Sequence, residues 1–237
     1  MKRKAAALLL LLLSPAAGEA AFSVPCGEVE GDGRSYLDPS FPGWDRVAPH
    51  PLLFTETPRI YPTDPEPSGG PPEGTVRSVH AGGFVYLLLE WRDGTPERDR
   101  PPRPPGPELL KEGLAHPEGL ERFADAASCQ VPQRPSPVYP SPMMGSRDAP
   151  VRLAFWKAGL GVSGHRGEGR EKVERDEDYP ARGDGVHVDG RWRVAFQLPR
   201  DPAFEGRLPV SFAVWDGSRL HRNGRKFFTP WYDLELR

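Results

Sequence analysis

The sequence predicts an all-β chain, a two-sheet antiparallel β-sandwich with one or two short helices and long Pro/Gly-rich loops. Three observations predict it. The chain has 30 Pro and 26 Gly among 237 residues, a density of backbone punctuation that suppresses long helices and favours short strands. Apolar residues recur with period two in several short segments, as in Trp192, Val194, Phe196 and Leu198. Turn dipeptides such as Gly82-Gly83, Asp216-Gly217 and Asn223-Gly224 separate those segments.

The N-terminus reads as an export signal. Met1-Lys2-Arg3-Lys4 is positively charged, Ala5 to Leu13 is apolar, and Gly18 and Ala20 fit the positions before a cleavage site. The apolar run is too short for a bilayer, which needs about 20 residues. The expected organisation is therefore a signal peptide at residues 1–20 and one domain at 21–237, delivered to the periplasm or another extracytoplasmic space, with no membrane span after cleavage. The whole chain carries 31 Lys+Arg and 33 Asp+Glu, and cleavage removes three basic residues and one acidic one. That small acidic excess argues against nucleic acid as a partner. Cys26 and Cys129 form either a disulfide or two thiols, and sequence leaves both open.

Along the chain, residues up to about Pro49 read as irregular. Pro51 to Phe54 and Arg59 to Tyr61 read as short edge strands, and 75–93 as a strand pair. Arg100 to Pro105 is a solvated extended segment. Glu108 to Ala126 is the one helical candidate, broken near Pro117. Val151 to Ala158 is an aromatic-rich strand. Gly161 to Gly185 is so charged that it reads as a mobile loop, its Arg182-Gly183-Asp184 a chance tripeptide. Strands follow at 190–198 and 208–215, and a last strand ends at Leu236.

Catalytic signatures are missing. The chain has no Gly-x-Ser-x-Gly, phosphate loop, His-Glu-x-x-His or dinucleotide fingerprint, and its six His are scattered. No Cys-x-x-Cys-His occurs, which excludes covalent c-type haem. The expectation is a binding domain and not an enzyme.

Several segments remain: Asp125-Ala126-Ala127 through Gln130-Val131-Pro132, Met143-Met144-Gly145, the strand from Val151, Trp215-Asp216-Gly217, Asn223-Gly224-Arg225-Lys226 and Trp231. With Trp44-Asp45 and Leu89 to Asp93, their order resembles the haem-b-binding γ subunits of type II dimethyl-sulfoxide-reductase-group molybdenum enzymes. The group includes ethylbenzene, dimethyl sulfide, selenate and chlorate enzymes. The resemblance spans essentially the whole chain after the leader, except Gly161 to Gly185.

The resemblance implies non-covalent haem b with Met144 and Lys226 as axial iron ligands. It also implies electron relay between an iron–sulfur β subunit with its molybdenum α subunit and a soluble cytochrome or the quinone pool. A thioether favours ferrous iron. A lysine must lose its proton to coordinate, which burial promotes. Apart from the resemblance, Met144 reads as a core methionine and Lys226 as a hairpin lysine. Met143 and His221 are competing ligands by position. The alternative function is a carbohydrate- or small-ligand-binding sandwich without haem, which exposed Trp residues in a groove would favour.

Overall fold

Period-two alternation becomes fourteen strands in the computed structural model, which describes residues 22–58, 69–98 and 124–237. In chain order they are β1 (Ser23–Glu28), β2 (His50–Leu52), β3 (Thr55–Glu56), β4 (Gly74–Ala81), β5 (Phe84–Arg92), β6 (Ala126–Pro132) and β7 (Val151–Lys157). Then come β8 (Gly161–Gly167), β9 (Val173–Arg175), β10 (Arg182–Val188), β11 (Arg191–Pro199), β12 (Arg207–Trp215), β13 (Phe227–Phe228) and β14 (Tyr232–Leu236). Three 3-10 turns occupy Arg34–Leu37, Pro42–Arg46 and Gly217–Arg219. No helix among the described residues is long and apolar enough to cross a membrane. The leader, the Arg59 to Tyr61 strand, the Arg100 to Pro105 segment and nearly all of the Glu108 to Ala126 helix lie outside the described residues, and Ala126 itself opens β6.

The strands form one curled path in the order β10-β11-β5-β4-β1-β14-β12-β6-β7-β8-β9. Its two ends face each other across a shared core. Val76, Leu87, Leu89, Val194 and Phe196 from the first layer pack with Ala127, Cys129, Trp156, Phe212 and Val214 from the second. This is the expected sandwich, with one difference. Strand β1 runs parallel to both neighbours, pairing Ser23–Cys26 with β14 and Gly27–Glu28 with β4. It leaves one layer and joins the other partway along its length, which is how a sheet turns a corner. The irregular N-terminal stretch expected from sequence thus holds the seam between the layers.

The charged stretch 161–185 is not a loop. It supplies β8, β9 and most of β10. Its charges suit a half-solvated sheet, since Glu168 pairs with Arg166 at 2.8 Å and with Lys172 at 2.7 Å on the outside. Arg182, Gly183 and Asp184 lie in a ladder against β11, not at a loop tip.

Both faces of the β4-β5-β11 layer are covered. Leu88, Tyr86 and Ala195 point away from the main core and meet Trp44, which is fully buried. The Tyr86 hydroxyl and the Trp44 indole N–H donate to the carbonyls of Asp32 and Asp38 at 2.7 and 3.2 Å. In the main core, Trp91, Trp156 and Trp192 meet with centroids 4.8 to 6.3 Å apart. Gly185 makes room for them, because a Cβ there would stand 2.4 Å from the Trp156 ring. Cys26 and Cys129 are buried free thiols in the same core. Burial pushes the Cys26 thiol up to about 12 and raises Cys129 as well, so neither is a reactive thiolate.

Leu87 is fully buried between the layers. Leu87→Ala is expected to cost about 2–5 kcal/mol. Urea denaturation should show a lower midpoint at unchanged slope.

Candidate functional site

A cavity of about 950 Å³ lies at one end of the second layer. The alternation of β7 builds one wall, with Leu153, Phe155 and Lys157 at successive same-face positions. Trp215, the last residue of β12, builds another and meets Phe155 edge-on at 5.4 Å between centroids. Ala124 and Ala126 keep the space between them open. Lys157, Arg170 and Arg222 place positive charge around this apolar interior.

Met144 is on the cavity wall and 6% exposed. It sits in the Pro-rich connection between β6 and β7, which two buried side chains pin down. Gln130 donates from Nε2 to the Pro142 carbonyl at 2.8 Å, and Trp231 donates from Nε1 to the Pro140 carbonyl at 2.7 Å. Trp231 also packs with Met144, Val151 and Leu153. Met144 holds a left-handed backbone, φ 69°, which costs a side-chain-bearing residue about 1–2 kcal/mol. Gly145 follows at φ 73°, and a Cβ there would come 2.7 Å from the Ala149 carbonyl. The Gly169 N–H donates to the Met144 carbonyl at 2.9 Å. Strain of this kind persists only where the surroundings over-determine it. Met143 is partly exposed and is not on the wall.

Lys226 is 1% exposed. The turn at Asn223, φ 50°, delivers it inward. Its N–H donates to Thr57 Oγ1 at 2.8 Å, and its carbonyl accepts the Thr57 N–H at 2.9 Å. Its Nζ lies 4.9 Å from the centroid of the Trp215 ring. Desolvation lowers its pKa to about 7, and repulsion from Arg170 acts in the same direction. Lys226 therefore stands behind Trp215 and not directly on the cavity wall, so the two ligand candidates reach the cavity region from separate elements.

His221 is on the wall and buried. Burial, helped by Arg225, pushes its pKa down to about 4, so the ring is neutral. Its Nδ1 accepts a long contact, 3.4 Å, from the Asp216 N–H. Its Nε2 faces Glu56 Oε1 at 3.5 Å, without a hydrogen-bond partner among the described residues. His165 also lines the cavity, with its Nε2 2.9 Å from Ser163 Oγ.

Sequence reasoning missed Leu153, Phe155 and Lys157, although their i, i+2, i+4 spacing was there to find. It also missed Arg170, Glu171 and Val173, which come from the stretch read as a loop. All six tryptophans are at least nine-tenths buried, so none forms the exposed platform expected of a sugar-binding groove.

The buried Lys226 carries a pH signature. Its folded pKa is depressed, so the unfolded chain binds the extra proton between about pH 7 and 10. Its contribution should therefore strengthen as pH rises through that window, by up to about 1.4 kcal/mol per pH unit. Denaturant titrations of the haem-free chain at pH 7 and 9 should show this gain, and Lys226→Met should lose it.

No family model matches the sequence. Over 165 residues it is 28% identical to a Haloferax mediterranei protein named as a respiratory nitrate reductase heme subunit, covering 66% of this chain and 53% of that one. Over 173 residues it is 26% identical to the chlorate reductase subunit gamma of Ideonella dechloratans, covering 68% and 64%. The chain thus spans about half to just under two thirds of the length of these relatives. A Bacteroides uniformis structure described as a carbohydrate-binding protein superposes with TM-score 0.50 at 10% identity, over 91% of this chain and 99% of that one. The chain is thus similar in sequence to heme and gamma subunits of reductases and shares its fold with a far more distant sandwich.

Proposed function

We propose that this chain is an exported haem-b-binding electron-transfer subunit of an oxidoreductase, with Met144 and Lys226 as the axial ligands and no catalysis of its own. The observation that carries the reading is the pairing of an apolar cavity, Met144 on its wall, with an amine buried beside Trp215. A lysine in that position is costly unless it is neutral, and a neutral amine has a lone pair to offer. The names of the two relatives, heme subunit and subunit gamma of reductases, point the same way.

The residues fit the group. Haem is a flat apolar macrocycle carrying two carboxylates, and the cavity joins apolar walls of Leu153, Phe155, Val173 and Trp215 to Lys157, Arg170 and Arg222, with Glu171 among them. When bound, haem supplies a one-electron ferric/ferrous couple. The chain's residues bind it, exclude water and set its potential. Leu153, Phe155 and Trp215 keep water off the ring faces. The strained Met144 loop presents a neutral thioether, which favours the ferrous state. Lys226 would offer its amine to the iron from beside Trp215, helped by a pKa already near 7. Lys157, Arg170 and Arg222 would pair with the haem carboxylates.

The partners are an iron–sulfur β subunit and a molybdenum α subunit on one side and a soluble cytochrome or the quinone pool on the other, in the periplasm or an equivalent compartment. Leader removal near residue 20 precedes assembly.

Reconstituting the full chain with haem and recording optical and EPR spectra tests the reading. A low-spin signal is expected. Met144→Ala and Lys226→Ala should each convert it to high spin or lose the haem, and Met144→Ala should lower the reduction potential. Met143→Ala should leave the spectrum unchanged, and His221→Ala should keep it low-spin. A chain that takes up no haem, or keeps its low-spin bands in both ligand variants, would contradict the assignment.

A further inference from the structure

On the far side of β6 from the cavity, three carboxyl groups converge. Asp93 follows β5, Glu97 lies four residues on, and Asp125 precedes β6. One oxygen from each lies within 4.8 Å of the other two. Asp125 has no exposed surface and Asp93 is 6% exposed. We propose that Asp93, Glu97 and Asp125 form a binding site for a hard divalent cation of the calcium class.

The arrangement of donors supports this. Asp125 is partly satisfied. Its Oδ1 accepts the Gly217 N–H at 2.8 Å, and its Oδ2 accepts from Trp192 Nε1 at 2.9 Å and the Glu97 N–H at 2.7 Å. Asp93 Oδ1 accepts the Thr95 N–H at 3.0 Å. Asp93 Oδ2 and Glu97 Oε2, by contrast, are shut off from solvent with no hydrogen-bond partner among the described residues. A buried carboxylate oxygen without a donor is costly, and both of these belong to carboxyls that share the cluster. Arg219 acts on Asp93, but its guanidinium is engaged by Asp216 at 2.9 Å and by the Gly70 carbonyl at 3.0 Å.

The chemistry selects the ion. All three donors are carboxylate oxygens, with no imidazole or thiolate among them, which suits calcium or magnesium and not zinc or copper. Irregular connections supply all three, and calcium tolerates the resulting geometry better than magnesium. Asp125 Oδ1 keeps a lone pair beyond its bond to Gly217. A cation here clamps the 93–97 segment onto Asp125. The neighbours of Asp125, Ala124 and Ala126, line the cavity, so the clamp stiffens the cavity from behind. The site does not depend on haem.

The test uses the full chain, free of haem and stripped with chelator. Calcium should raise its unfolding temperature. Terbium should bind one per chain, with luminescence excited through Trp192, whose indole donates to Asp125. Asp93→Asn and Glu97→Gln, close in shape to the native residues, should each weaken calcium binding by at least about tenfold. Three results would overturn the site: no calcium dependence up to about 10 mM, a calcium effect that survives in both variants, or stabilisation by acid alone, which would mean that the carboxyls share a proton. Should a variant not fold, the calcium and terbium titrations of the unaltered chain still decide. No readout involves haem, so failure here leaves the proposed function untouched.

Discussion

The carboxylate of Asp125 is the constraint on which the site end of the molecule rests. It accepts hydrogen bonds from Trp192 in β11, from the Glu97 backbone in the β5–β6 connection, and from Gly217 just after β12. One buried group thus ties the first layer to the second. Desolvation pushes its pKa up to about 7, against the pull of those three donors. A carboxylate is tolerated at such a depth only because its partners are placed beforehand by the strands that carry them. Trp192 is in turn locked by Trp91 and Trp156. The aromatic core therefore fixes the acceptor, and the acceptor fixes the roots of β6 and of the turn beyond Trp215.

Much of the fold was legible in the sequence because alternation and turn chemistry are local signals. Trp192 through Leu198 and Leu208 through Trp215 read directly as strands, and both are. Two segments misled for physical reasons. In 161–185 the charge suggested a mobile loop, but those residues face solvent from a sheet edge, where charge is compatible with pairing. Residues 23–28 looked irregular because a strand that divides its pairing between two layers has no uniform face to advertise.

The candidate site rests on a different kind of signal. Met144 and Lys226 came from a family resemblance, not from periodicity, and nothing in their neighbourhood would have singled them out. The strained backbone at Met144 and the burial of Lys226 are tertiary properties. The cavity wall on β7 was readable from residue spacing but was not read. Arg170 and Val173 were out of reach, because they reach the cavity only once β8 and β9 fold back over β7. His221, attractive by position, does line the cavity, where burial keeps its ring neutral.

The parallel seam made by β1 has a consequence for assembly. Ser23 pairs with Asp233, and Gly27 pairs with Val79. The two layers are stitched together by a strand from the start of the domain and one from its end, so the barrel-like curl cannot close until β14 is available. Contacts this distant in sequence make folding slow. Until closure, β4 and β12 each present an open ladder to any neighbouring chain. A protein built this way favours a late, all-or-nothing closure, in which the last strand to be made locks the first one in place.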